Sequence, residues 1–174
     1  LLKFDLASFS ELTSIIQTNS LTAGKIREAV VDAMTTNETF WFRDDMQCVE
    51  LRSKILPEIF ARKPGTIKIW SAACSSGQEP YTISMCAEDI AKQSKTNRNV
   101  QIIGTDISET ILAEAKRAVY TEMALSRGLD LQTRNRFFQK TYDGYKLNPE
   151  IVRRVRFQQF NLLKPFSVLG RFDV

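Results

Sequence analysis

The residues most suited to chemistry lie in a turn that reads Ala72-Ala73-Cys74-Ser75-Ser76-Gly77-Gln78-Glu79-Pro80 and in an acid, Asp106, 29 positions after Gly77. The turn stands where a nucleotide-binding G-x-G-x-x-G turn would stand, with Ala72, Cys74 and Gly77 at the three small-residue positions. Small side chains there let the backbone pass close to a ligand before a helix begins. Asp106 closes the run Val100-Gln101-Ile102-Ile103-Gly104-Thr105. An acid at that place can accept two hydrogen bonds from a ribose diol. Each feature also has a plainer reading, an ordinary tight turn and a helix-capping Asp.

Only one of the three small positions is glycine. A pyrophosphate held against the backbone needs glycine most, whereas S-adenosyl-L-methionine carries no phosphate and tolerates Ala and Cys. A nicotinamide enzyme is therefore disfavoured. A third segment, Thr35-Thr36-Asn37-Glu38-Thr39-Phe40-Trp41-Phe42-Arg43-Asp44, places three consecutive aromatic residues beside one Arg. It reads as rings packed in a core with one fixed cation, and Asn37 and Thr39 as caps.

The elements that must hold these residues follow from periodicity. Phe4, Phe9, Leu12, Ile15 and Ile16 fall at helical spacing, and Asn19-Ser20 breaks the pattern. Lys25 to Met34 continues as a helix, and Asp44 to Phe60 forms another with Pro57 near a kink or boundary. Lys63-Pro64-Gly65 is a turn. Residues 66–73 then read as a buried strand, 80–92 as a helix with Pro in its first turn, and 95–99 as a polar loop. Residues 100–106 form a second strand, followed by a helix capped by Ser108. After a loop-rich stretch come a third strand at 155–160 and the opening of a fourth at 172–174.

Alternating strands and helices predict an α/β fold: a small all-helical N-terminal domain (1–60) and a Rossmann-like, doubly wound parallel sheet (61–174). The chain stops inside a strand, so the sheet is expected to be incomplete and to continue past Val174.

Composition narrows the function classes. The chain has 174 residues, 43% of them hydrophobic and 25% charged, as in an ordinary globular protein. No apolar run approaches the roughly 18 residues of a membrane span, and no signal peptide is evident. A cytoplasmic location is expected. Three cysteines (Cys48, Cys74 and Cys86) lack a paired spacing and read as reduced thiols. The chain contains no histidine, which removes Ser-His-Asp and Cys-His catalysis and most zinc sites; no metal is expected. The net charge of +4 is dispersed and decides nothing by itself.

Four strings now combine. T-T-N-E-T-F-W-F-R-D, I-W-S-A-A-C-S-S-G-Q-E-P-Y, I-I-G-T-D-I-S and F-Q-Q-F-N-L-L resemble, in order and spacing, the CheR-type chemotaxis receptor glutamate O-methyltransferases. The resemblance runs over nearly the whole chain and implies a class I methyltransferase fold with S-adenosyl-L-methionine as cofactor and S-adenosyl-L-homocysteine as product. It implies that Asn37, Thr39 and Arg43 line the cofactor site, that Glu79 contacts the cofactor, that Asp106 binds its ribose, and that Asn161 and Leu162 lie near its adenine. Ala72, Cys74 and Gly77 complete the set. Further contacts of the family, and a small β-subdomain, would lie past Val174.

The implied partner is the cytoplasmic domain of a chemotaxis receptor. Docking through the second helix is the weaker inference, because Lys25 and Arg27 there stand beside Glu28 and Asp32. A glutamate carboxylate, with an ordinary pKa of about 4.3, is already ionised at neutral pH, so methyl transfer to it needs no general base. The enzyme's task would be alignment, holding the reacting atoms roughly 3–3.5 Å apart, with Arg43 helping through its planar fork. Two other classes stay open: an RNA methyltransferase using Arg153, Arg154 and Arg156 on phosphate, and a non-catalytic module that binds cofactor or receptor.

Overall fold

The computed structural model describes residues 2–94 and 99–174, so most of the polar loop expected at 95–99 lies outside the described residues. The chain divides into two compact units, Leu1–Thr36 and Asn37–Val174.

The first unit contains α1 (Phe9–Ile16) and α2 (Leu21–Met34). Ser8 and Ser20 cap them, each accepting a backbone N–H from three residues on. The Ser20 cap starts α2 four residues before the start expected at Lys25. The Arg27 side chain donates to the Ile16 and Thr18 carbonyls at 2.7 and 2.8 Å, which satisfies oxygens left over at the end of α1. Among the residues of this unit whose burial is described, Ala23 and Ile26 are the buried apolar ones.

In the second unit, α3 (Asp45–Glu50), a π-helical turn at Leu51–Ile55 and α4 (Leu56–Arg62) occupy the stretch expected to be a single helix. Pro57 sits in the first turn of α4 directly after the π-helical turn, where it has no N–H to continue the helical bond ladder. Trp41, Leu56 and Phe60 belong to the same apolar core as the strands that follow. That packing is why the compact unit begins at Asn37, before the residue-60 boundary read from sequence.

The central sheet is parallel, in the order β1 (Ile67–Ala72), β2 (Val100–Asp106), β6 (Val155–Gln159). Ala72 pairs with Thr105, and Asp106 with Gln159, so the carboxyl ends of all three strands are level. α5 (Gln78–Gln93) connects β1 to β2, and α6 (Glu109–Arg117) follows β2. Tyr81, Met85, Cys86 and Ile90 of α5 pack with Ile67, Ile69, Val100 and Ile102. Along β1 buried residues alternate with exposed or half-buried ones.

Residues 172–174 reach the other edge of β1. Asp173 N–H donates to the Lys68 carbonyl at 2.7 Å, and Trp70 N–H to the Val174 carbonyl at 2.9 Å. The expected fourth strand thus begins to pair with β1. Strand order reverses beside β1, and parallel sheets bind ligands outside the carboxyl ends at such a reversal.

The stretch between α6 and β6 is more ordered than expected. It forms an antiparallel sheet in the order β3 (Val119–Tyr120), β5 (Gly144–Leu147), β4 (Phe138–Thr141), with α7 (Glu122–Ser126) and α8 (Leu131–Phe137) between β3 and β4, and α9 (Pro149–Val152) after β5. Trp41 anchors this layer to the core, edge-on to Tyr120 at 4.9 Å and to Phe138 at 5.2 Å between ring centroids. Such aromatic pairs add about 0.5–1.5 kcal/mol each beyond area burial.

Candidate cofactor site

The turn after β1 is built from left-handed residues at alternate positions: Ala73 at φ 52°, Ser75 at 49° and Gly77 at 88°. Non-glycine residues hold such conformations only where the surroundings over-determine them. Here Cys74 N–H donates to the Thr105 carbonyl at 2.9 Å, and Gly77 N–H to the Cys74 carbonyl at 3.0 Å. A Cβ at Gly77 would stand 3.0 Å from both the Ala115 Cβ and the Phe157 ring. Glycine is therefore required at the third small position, which is where the sequence has kept it.

The other two small positions serve differently. Ala72 is exposed, whereas Cys74 is buried beneath the turn, and a Cβ on Gly104 would lie 3.0 Å from its Sγ. Cys74 therefore shapes the surface through its backbone. Burial, with the nearby Asp106 charge, pushes its thiol up to about 12, so it stays protonated at neutral pH.

Asp106 lies at the end of β2, 7% exposed. Its Oδ2 accepts the Ser75 N–H at 2.8 Å and its Oδ1 accepts the Ser108 N–H at 3.1 Å. Each carboxylate oxygen has a second lone pair, so capacity remains for a diol. Ser75 Oγ is buried without a hydrogen-bond partner among the described residues. Buried hydroxyls are normally paired, and this one belongs to the turn that a ligand would approach. The orphaned hydroxyl, the glycine-tight cradle and the spare carboxylate capacity fit an adenosyl ligand.

On the β1 side, Ser71 Oγ donates to Glu79 Oε1 at 2.6 Å. Glu79 stands in the first turn of α5 and, with Arg43, Phe40, Trp70 and Thr82, lines a cavity of about 510 Å³. Trp70 is held by its indole N–H to Thr105 Oγ1 at 2.9 Å. Arg43 donates to the Glu38 carbonyl at 3.1 Å and packs on the Phe40 ring. Phe42 N–H donates to Thr82 Oγ1 at 3.3 Å, tying the aromatic segment to α5.

The structure thus gathers the sequence-derived residues into two groups. Arg43 and Glu79 share the cavity beside β1. Asp106, Asn161 and Leu162 lie at the ends of β2 and β6, and the 73–77 turn joins the two groups by bonding to Asp106. Phe160 N–H donates to the Asp106 carbonyl at 2.8 Å, and Asn161 Oδ1 accepts the Leu163 N–H at 2.9 Å. Asn37 is exposed and Thr39 half-buried on the segment leading to Arg43, and neither is in the cavity lining. Ser71 and Ser75 were passed over in the sequence. A polar residue at an inward-facing position of a carboxyl strand end was the available signal for Ser71.

Comparison with known proteins identifies the family. Residues 37–174 match the family model described as CheR methyltransferase, SAM binding domain. The chain is 42% identical over 171 residues to the chemotaxis protein methyltransferase Cher2 of Pseudomonas putida, covering 96% of this chain and 62% of that protein. It is 43% identical to chemotaxis protein methyltransferase 1 of Pseudomonas aeruginosa, at 96% and 61% coverage. Against the chemotaxis protein methyltransferase of Vibrio parahaemolyticus it is 44% identical, at 99% and 62%. The chain spans about three-fifths of the length of these curated relatives. The parallel α/β sheet is consistent with a class I methyltransferase fold, and the chain belongs to the CheR methyltransferase family.

Proposed function

We propose that this chain is the cofactor-binding part of an enzyme that methylates glutamate side chains on the cytoplasmic domain of chemotaxis receptors, giving glutamyl methyl esters. The observation that carries the proposal is the pairing of Arg43 and Glu79 around one cavity at the carboxyl end of β1. A cation and an anion there match the carboxylate and ammonium of an amino acid, the part of S-adenosyl-L-methionine that nucleotide cofactors lack. The relatives named as chemotaxis protein methyltransferases support the receptor as acceptor. No helix among the described residues is long and apolar enough to cross a membrane, and we place the protein in the cytoplasm, where receptor signalling domains lie.

Bound S-adenosyl-L-methionine supplies an electrophilic methyl group on a sulfonium. In this reading Asp106 receives the ribose hydroxyls, with Asn161 and Leu162 beside the adenine. Glu79, held by Ser71, takes the ammonium. Arg43 takes the carboxylate or orients the incoming glutamate through its fork, with Asn37 and Thr39 on the same segment. Ala72, Cys74 and Gly77 let the backbone approach. No group has to remove a proton, since the acceptor is already a carboxylate.

The RNA reading is less well supported, because Arg153 and Arg154 are already paired with Glu150 and Glu88. Their cavity, lined also by Asn99 to Ile103, is at the amino end of β2, away from the turn. Calorimetric titration of S-adenosyl-L-homocysteine into the chain tests the cofactor site. Saturable binding weakened by Arg43→Ala and by Glu79→Ala is expected, and binding unaffected by both would remove the assignment.

A further inference from the structure

Arg43 does not stand alone. Its Nη1 donates to the Glu38 main-chain oxygen at 3.1 Å, while the Glu38 carboxylate accepts from Arg127 Nη2 at 2.8 Å. Both guanidiniums pack on one ring: Arg43 lies 5.4 Å and Arg127 5.3 Å from the Phe40 centroid. The backbones touch as well. Trp41 N–H donates to the Arg127 carbonyl at 3.2 Å, and a Cβ on Gly128 would fall 1.8 Å from the Trp41 oxygen. Next to this contact, Phe42 and Asp44 take left-handed φ of 50° and 58°, conformations that need outside support.

Stability is a poor explanation for this arrangement. The Arg127–Glu38 pair leaves its side chains 50% and 62% exposed, and exposed pairs contribute little. Charge by itself opposes it, since Arg127 and Arg43 repel each other across one ring. Glu38 compensates both, and Arg127 holds its carboxyl below the ordinary range. The group makes sense as a device that fixes the direction of the Arg43 guanidinium, which lines the cavity together with Phe40.

We propose that Arg127, reaching from the turn between α7 and α8, is a positioning residue that sets Arg43 through Glu38 and Phe40. The inference rests on the cofactor-site reading above. Arg127 does not line the cavity and acts through the residues that do.

The test is a double-mutant cycle read by calorimetric titration of S-adenosyl-L-homocysteine into the chain, with thermal unfolding alongside. Arg127→Ala is expected to weaken binding about fivefold when Arg43 is present, and to have no further effect in Arg43→Ala. The thermal midpoint is expected to stay within about 2 °C. Arg127→Lys keeps the charge but not the planar fork, and is expected to restore only part of the affinity. An equal loss in both Arg43 backgrounds, no loss in either, or unfolding of Arg127→Ala would each overturn the positioning role. Glu38→Gln provides the same cycle from the other side of the ion pair. If the unsubstituted chain bound no S-adenosyl-L-homocysteine, the cofactor reading would fail and this inference with it. If it bound and Arg127→Ala bound equally well, only this inference would fail.

Discussion

The Asp106 carboxylate accepts the Ser75 backbone N–H at 2.8 Å, joining the end of β2 to the turn that follows β1. One acid thereby shapes the turn and presents free lone pairs beside it. Asp106→Ala is expected to leave the Ser75 and Ser108 N–H groups without their acceptor, costing about 1–3 kcal/mol of stability. It is also expected to weaken S-adenosyl-L-homocysteine binding by about tenfold or more. Urea unfolding and calorimetric titration measure the two effects separately. A variant that lost stability but kept full affinity would remove Asp106 from the ribose role.

Glu79 allows a cleaner separation. It is exposed, and its bond from Ser71 survives in Glu79→Gln because the amide oxygen still accepts. Stability is expected to change by no more than about 0.5 kcal/mol, while affinity falls about tenfold through loss of the charge. Unchanged affinity in low salt would count against Glu79 as the ammonium partner.

Two glycines predict opposite signs. Gly128, at φ 93°, has the Trp41 oxygen 1.8 Å from where a Cβ would be, whereas Gly24 in α2 has nothing within 4 Å. Gly128→Ala is expected to destabilise by more than about 3 kcal/mol, since backbone must move. Gly24→Ala is expected to stabilise α2 by about 0.5–1 kcal/mol through helix propensity. Thermal unfolding of the two variants checks the contrast.

Buried thiols set an alkaline limit. Burial pushes both Cys74 and Cys86 up to about 12, against an ordinary value of about 8.5 in the unfolded chain. Raised folded values mean that their contribution is complete below about pH 8.5 and is lost as pH rises toward 12. Between pH 8 and 10 each thiol is expected to cost roughly 2 kcal/mol. Cys86→Ala should flatten that pH dependence by about half, measured by urea unfolding. An unchanged slope would mean that Cys86 ionises freely when folded.

The parts of the fold that were legible in the sequence are those with strong apolar periodicity. Ile67, Ile69, Val100 and Ile102 mark two strands unambiguously, and Pro80 and Ser108 mark the helices after them. The antiparallel sheet at 119–147 was not legible for the opposite reason. Its strands have two to four residues and carry Gln139, Lys140 and Lys146 among the apolar positions. The Asp143-Gly144 dipeptide at the β4–β5 hairpin was the one local signal for it, and a single dipeptide is outweighed by polar neighbours. In the site, Asp106 could be read because a strand end is a one-dimensional feature. Arg127 could not, since its contact with Phe40 joins positions 87 residues apart (127 minus 40) through a turn no periodicity foretells.

The most direct measurement is methyl transfer from labelled S-adenosyl-L-methionine to a receptor cytoplasmic domain, using protein of the relatives' full length, followed by alkali. Label released as methanol is the expected result, because a glutamyl methyl ester hydrolyses to it. Cofactor binding with no transferred label, or label stable to alkali, would contradict the carboxyl methyltransferase assignment.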